Sequence, residues 1–415
     1  MPPVSLVVAG AGGRGSGYAG FALTHPDRAK VVGVAEPRDH YRNTFAAEHS
    51  IPSRAVFTSW EELAAQPKMA DGVIIATQDR MHAEPAVAFA EKGYQILLEK
   101  PMAPIEEDCR RIVAAVQRAG VLFAVCHVMR YTNYTRVLKH LLAEGAVGKI
   151  MSIQHLEPVG YWHQAHSFVR GNWRNEALSS PMLLAKSCHD LDWLRYVMGL
   201  KCLRVSSFGS LTHLRADQKP AGAADRCLDC EIEPRCPYSA KKLYLGMIRD
   251  NQPWWPVDVI TTDLTEAGVL EALRTGPYGR CVYACDNDVV DHQVVNLEFE
   301  GGPTASFTMT AFTQQRDRET RIFGTHGELS GNGSEIKVFD FVTDKTREID
   351  VHSSDASILG GHGGGDYGLM DSFIDAVAKR DPSLVLSGPE ESLETHLMVF
   401  AAERARREGR VVSVN

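Results

Sequence analysis

Three sets of residues have types and spacings that could do chemistry. Gly10, Gly12 and Gly15 fall on a G-x-G-x-x-G pattern that also takes in Gly13 and Arg14. Such a loop turns tightly, lets its backbone approach a pyrophosphate and lets the next helix pack closely on the preceding strand. Lys100 follows the run Ile96-Leu97-Leu98-Glu99 and precedes Pro101, which has no N–H to continue strand pairing. That places an ammonium group at the C-terminal edge of a sheet, where open α/β folds bind ligands. Cys227, Cys230 and Cys236 have the spacing C-x2-C-x5-C. Thiolates so spaced can grip one metal, and a structural zinc is the first expectation, with Cys281 as fourth ligand and Cys285 close behind it. An iron–sulfur cluster, free thiols and a disulfide are the other readings.

The elements that position these residues alternate between strand and helix. Ser5 to Ala9 is a short apolar strand, and a helix is expected from Ser16 to Thr24. Val31 to Ala35 forms a second strand ending at Glu36. An acidic residue about 20 positions beyond the glycines is where a ribose hydroxyl contact belongs. That favours NAD, while Arg38 could greet a 2′-phosphate and keeps NADP open. Gly72 to Thr77 is a further strand with His82 in the turn beyond, and Ala83 to Lys92 reads as helix. After the Glu-Lys-Pro strand, Ile105 to Ala119 is helical with Gly120 as cap, and Val121 to Val125 is a strand. Residues 1–127 thus carry the doubly wound pattern of a dinucleotide domain.

A chain of 415 residues exceeds one ordinary core, so residues 128–415 are expected to form a second domain with a Cys-rich insertion near 221–258. In it, apolar and hydroxyl residues alternate from Thr304 to Ala311, and Gly301-Gly302 and Asn332-Gly333 mark hairpins, the pattern of an antiparallel sheet with one buried face. The stretch from Tyr161 to Arg174 is dense in His, Arg, Asn and aromatics. Flat apolar faces with fixed donors suit a sugar, which makes Tyr161, His163, His166, Arg170, Asn172 and Trp173 candidate substrate contacts. A net charge of −8 argues against nucleic acid as main partner, and no apolar run reaches membrane-spanning length. Met1-Pro2-Pro3-Val4 enters a strand directly without a basic leader, so a cytoplasmic protein is expected.

The glycine loop, Ala76-Thr77 with His82, Glu99-Lys100-Pro101, and His189-Asp190-Leu191-Asp192 before Gly199 resemble the glucose–fructose oxidoreductase and inositol dehydrogenase (Gfo/Idh/MocA) family over most of the chain. The resemblance implies a Rossmann α/β domain followed by an α+β domain on a large, mostly antiparallel sheet. It implies NAD(P)-dependent hydride transfer with a sugar, cyclitol or related polyol, and a homo-oligomer, dimer or tetramer. It implies that Thr77, His82, Glu99 and Lys100 border the cofactor, that His189 faces the nicotinamide, and that His362 comes near the substrate. Imidazole suits the base that takes a hydroxyl proton. Lys100 would hold the same oxygen, and Asp192 would orient the imidazole or cap nearby structure. Lys186 joins the substrate set. One position departs from the family pattern: many members carry an Asp four residues before this His, and here it is Ala185.

Two rivals stand beside this reading. A glycoside-cleaving enzyme with retained NAD would oxidise its sugar transiently, eliminate and reduce again, with no net NADH. A non-catalytic NAD-sensing regulator would need neither Lys100 nor His189.

Overall fold

The computed structural model describes residues 2–351 and 363–414. His362, expected near the substrate, lies outside the described residues. The first half builds a six-stranded sheet from β1 (Val4–Ala9), β2 (Ala29–Ala35), β3 (Val56–Phe57), β4 (Gly72–Ile75), β5 (Gln95–Leu98) and β6 (Phe123–Val125). The order is β3-β2-β1-β4-β5-β6, and every pairing is parallel. The order reverses between β1 and β4, the topological switch point where such sheets bind ligands. Strands buried on both faces read as continuous apolar runs, which is how β4 and β5 appear in the sequence.

Helix α1 (Gly13–Thr24) follows the glycine loop, and α2 (Glu106–Ala119) follows the Glu-Lys-Pro corner. Helix α2 shows why its boundaries were legible. Glu106, Glu107 and Asp108 complement the dipole in its first turn, and Gly120 closes it at φ 63° in the left-handed region.

The second half builds a nine-stranded sheet from β7 (Ile150–Pro158), β8 (Cys202–Ser210), β9 (His292–Phe299), β10 (Thr304–Thr310), β11 (Glu319–Gly324), β12 (Gly327–Gly331), β13 (Glu335–Asp340), β14 (Lys345–Asp350) and β15 (Val412–Ser413). The order is β14-β13-β12-β11-β7-β10-β9-β8-β15, antiparallel except where β10 lies parallel to β7. In β10 the residues Ala305, Phe307 and Met309 are buried and the hydroxyl residues between them face out. Helix α3 (Met182–Met198) lies against this sheet and is buried nearly all round, from Leu183 and Leu184 to Leu194 and Val197.

The last two helices tie the halves together. Helix α4 (Gly365–Lys379) places Leu369, Met370, Phe373 and Ile374 in one core with Leu6, Val8 and Ile74 of the parallel sheet. Helix α5 (Pro389–Glu408) buries Met398, Val399 and Ala402 in the core of the nine-stranded sheet, while Leu393 and Phe400 pack on the cluster of Val7, Val73 and Ile75 in the parallel sheet. Among the described residues, no helix is long and apolar enough to cross a membrane.

Candidate active site

The glycine loop is set by geometry that tolerates no side chain at two positions. Gly10 has φ +94°, and a Cβ there would collide with the backbone of Ala76; a Cβ at Gly15 would collide with the carbonyl oxygen of Gly10. Gly12 caps α1 without any side-chain bond to the first turn, and Gly13 opens onto free space. The loop thus presents a helix N-terminus with a close backbone approach, which fits a pyrophosphate. Glu36, at the end of β2, is buried and accepts from the Ala11 N–H at 3.0 Å. Arg38 donates to it from Nε at 2.7 Å and Nη2 at 3.0 Å, and its guanidinium lies 4.0 Å over the Tyr41 ring. Burial alone would raise the Glu36 carboxyl, but Arg38 holds it below the usual range.

Arg14 does not open towards the loop. Its Nε donates to Glu99 at 2.6 Å and its Nη groups to Asp366 of α4 at 3.0 and 2.7 Å, with Tyr18 bonded to both Arg14 and Glu99. Glu99 also accepts from the Lys100 N–H, so it fixes the backbone at the Lys100-Pro101 corner. His82 is buried, with Nδ1 2.8 Å from the Pro101 oxygen and Nε2 3.1 Å from the Thr77 oxygen. It clamps the loop after β4 to the Lys100-Pro101 corner. The Thr77 hydroxyl donates to the Met81 oxygen at 3.2 Å.

Lys100 reaches across to the second half, where its Nζ donates to the Ala185 carbonyl oxygen at 2.7 Å. Ala185 stands one helical turn before His189 on α3, so both occupy one face of that helix. His189 is buried, and its ring centroid lies 6.0 Å from that of His127.

Asp192 pairs with Arg130 at 2.7 Å and lies 3.6 Å from His127. Burial would raise its carboxyl, but Arg130 and then His127 lower it. Lys186 lies 3.3 Å from Glu157 of β7, and burial lowers its ammonium pKa. Glu157 also meets Arg318 at 2.7 Å, and Arg318 continues to Asp190 at 2.8 Å. Asp190 in turn bonds His155 at 3.1 Å. Burial would raise Asp190, but Arg318 and His155 hold it well below the carboxylate range. Glu157, Arg318 and His155 carry no local signal in the sequence, since only the folded sheet brings β7 and the segment after β10 to α3.

The aromatic stretch divides. A helical turn at Tyr161–His163 widens into a π-helix over Gln164–Arg170. His163 points among Trp162, Phe168 and Trp255, and its buried Nδ1 has no hydrogen-bond partner among the described residues. Burial, then the charge of Lys186, holds this imidazole well below its ordinary pKa. Tyr161 is half-buried, edge-on to Tyr238. His166 turns the other way, bonding the Tyr244 hydroxyl at 2.8 Å and stacking on Tyr278 at 4.9 Å. Burial pushes it down to about 3. Arg170 donates to the Arg280 oxygen at 2.7 Å and the Tyr238 oxygen at 2.8 Å. Both were expected to meet substrate, and the partners the structure gives them are Tyr244 and Tyr278 for His166 and these two carbonyls for Arg170. Asn172 is exposed. Trp173 donates from Nε1 to Asp79 at 3.2 Å, which links the segment to the loop after β4.

The cysteines expected to bind zinc do not stand as a formed metal centre. No three His, Cys, Asp or Glu side chains among the described residues stand in metal-coordinating geometry, so no preformed zinc centre is present. Cys227, Cys230, Cys236 and Cys281 nevertheless line one small cavity.

Residues 4–127 match the oxidoreductase family's NAD-binding Rossmann fold, and residues 139–414 match that family's C-terminal alpha/beta domain. YteT of Bacillus subtilis, described as an oxidoreductase, is 25% identical over 340 residues, covering 77% of this chain and 76% of that one. The 2,7-anhydro-N-acetylneuraminate hydratase of Escherichia coli is 30% identical over 196 residues, about half of either chain (47% and 50%). A levoglucosan dehydrogenase solved with NADH and levoglucosan superposes with a TM-score of 0.70 at 18% identity, over 99% of both chains, which shows a shared fold. With both of its domains matched, the chain belongs to the Gfo/Idh/MocA oxidoreductase family and is an NAD(P)-dependent oxidoreductase.

Proposed function

We propose that the chain transfers a hydride between nicotinamide and a carbinol carbon of a sugar, cyclitol or related polyol. The observation that carries this is the bond from Lys100 Nζ to the Ala185 oxygen, which sets the ammonium on the helical face that carries His189. The bound NAD(P) supplies the hydride acceptor or donor. The chain's own residues do the rest. Lys100 can exchange its carbonyl partner for the reacting hydroxyl and stabilise negative charge on that oxygen, and His189 takes or returns the hydroxyl proton. Trp162, His163 and Trp255 form an aromatic wall that suits an apolar ring face and keeps water out. NAD is the preferred cofactor in this reading, on the strength of Glu36. A homo-oligomer and a cytoplasmic location belong to the same reading.

The test is label transfer. Purified protein is incubated with candidate sugars carrying deuterium at one carbinol carbon, together with NAD. Deuterium should arrive at nicotinamide C4; a panel of sugars and polyols giving neither transfer nor ligand binding would sink the reading. The match to a hydratase, whose named reaction is no net oxidation, favours a second reading in which NAD is retained and the sugar is oxidised only transiently. Solvent deuterium entering the sugar beside the oxidised carbon, without accumulation of NADH, distinguishes it.

A further inference from the structure

Four cysteines that the hydride chemistry does not use converge from two separate segments. Cys227, Cys230 and Cys236 come from the insertion, and Cys281 comes from the chain returning to the sheet. They line one small cavity of about 20 Å³, with Arg170 on its wall. That space holds one water-sized occupant. No disulfide joins them.

A second observation concerns charge. Arg170 is 1% exposed and has no carboxylate partner among the described residues. Its guanidinium is held by two carbonyl oxygens and by the Cys227 sulfur, 3.5 Å from Nη2. Glu233, the one carboxylate on the cavity wall, is already paired with Lys241 at 2.9 Å and bonded by Ser239. A buried cation without an anion is costly, so the site calls for negative charge that neutral thiols do not provide.

We propose that Cys227, Cys230, Cys236 and Cys281 close around one zinc ion by side-chain rotation into the cavity they share. Four thiols give up four protons, and four thiolates with one Zn²⁺ carry a net charge of −2, for which Arg170 is the buried counter-charge. The ion takes no part in hydride transfer. It staples the insertion to the start of the strand region. Trp255, which meets the His163 ring at 5.1 Å, belongs to that insertion. Loss of the ion therefore loosens a wall of the substrate pocket and leaves the cofactor loop in place.

The experiment is metal analysis of the full chain purified without added metal, with Cys230→Ser, Cys281→Ser and Cys285→Ser beside it. The expected result is about one zinc per chain, lost in the first two variants and kept in the third. Where a Ser variant fails to fold, cobalt(II) exchanged into the unaltered protein gives the second readout, the absorption of a tetrahedral tetrathiolate centre. Chelation should raise KM for the sugar while NADH fluorescence titration stays unchanged. A metal-free, stably folded protein overturns the proposal, as do a disulfide between any two of the four, the visible absorption of an iron–sulfur cluster, or an octahedral cobalt spectrum.

Discussion

Lys100 and Ala185 meet at 2.7 Å, ammonium to backbone carbonyl, across the two halves of the molecule. Where an Asp at position 185 would set a carboxylate beside the lysine, this chain offers only the helix backbone. The ammonium is thus oriented by a neutral backbone acceptor.

Lys100→Met and His189→Ala should each slow turnover by a factor on the order of 10²–10⁴. NAD should still bind, because the glycine loop is untouched. The double variant should be little worse than either single one, since both groups act on the same oxygen and proton. Steady-state kinetics with cofactor titration decide this, and near-normal activity in either variant removes these roles.

Glu36 should make NADH bind more tightly than NADPH. Its carboxylate already bonds Ala11 and Arg38, so a 2′-phosphate would have to displace an ion pair. Glu36→Ala frees Arg38, and the preference should move towards NADPH by about tenfold or more, some 1.4 kcal/mol. Fluorescence titration of both nucleotides measures it; an unchanged ratio would mean that other residues choose the cofactor.

Stability should fall on mild acidification. Inside α5, His396 accepts the Met102 N–H at Nε2, 2.8 Å away, and its Nδ1 lies 2.7 Å from the Ser392 oxygen. Those partners fit a neutral ring. Burial lowers His396 to about 4 and His127 to about 3. An unfolded histidine titrates near 6.5, so below that pH the unfolded chain binds more protons. The stabilisation is complete above about pH 6.5 and is lost as pH falls towards 4, at up to about 1.4 kcal/mol per pH unit for each histidine. Urea midpoints across this window should show the slope, and His396→Gln should reduce it. A variant with the same slope would show that His396 is not one of the groups responsible.

Arg14→Ala should destabilise the fold by about 1–3 kcal/mol, since it strips a counter-charge from buried Glu99 while the arginine itself is partly exposed. Asp366→Asn should cost less, because Glu99 keeps its partner. Thermal melts of the two variants rank them, and the reverse order would count against the clamp.

Much of the cofactor half was legible because its signals are local. Gly15 meets a steric demand set by Gly10 on the same turn, and β4 and β5 announce themselves as apolar runs. The substrate half was less so. His166 and Arg170 looked like sugar contacts by type, but the π-helix aims them at Tyr244 and at the cysteine cavity. Glu157, Arg318 and His155 escaped notice because each is ordinary in its own segment and gains a role only when sheet register gathers them around Lys186 and Asp190.

Helix α4 comes from the far end of the chain, yet Leu369, Met370 and Phe373 complete the core over β1 and β4. The cofactor-binding half is therefore not a portable cassette. A gene fragment stopping near residue 127 would encode a sheet with part of one apolar face uncovered, and Arg14 would lose Asp366. Exchange of nucleotide halves between relatives has to carry the late helix along with the early strands, or it delivers a product prone to aggregation.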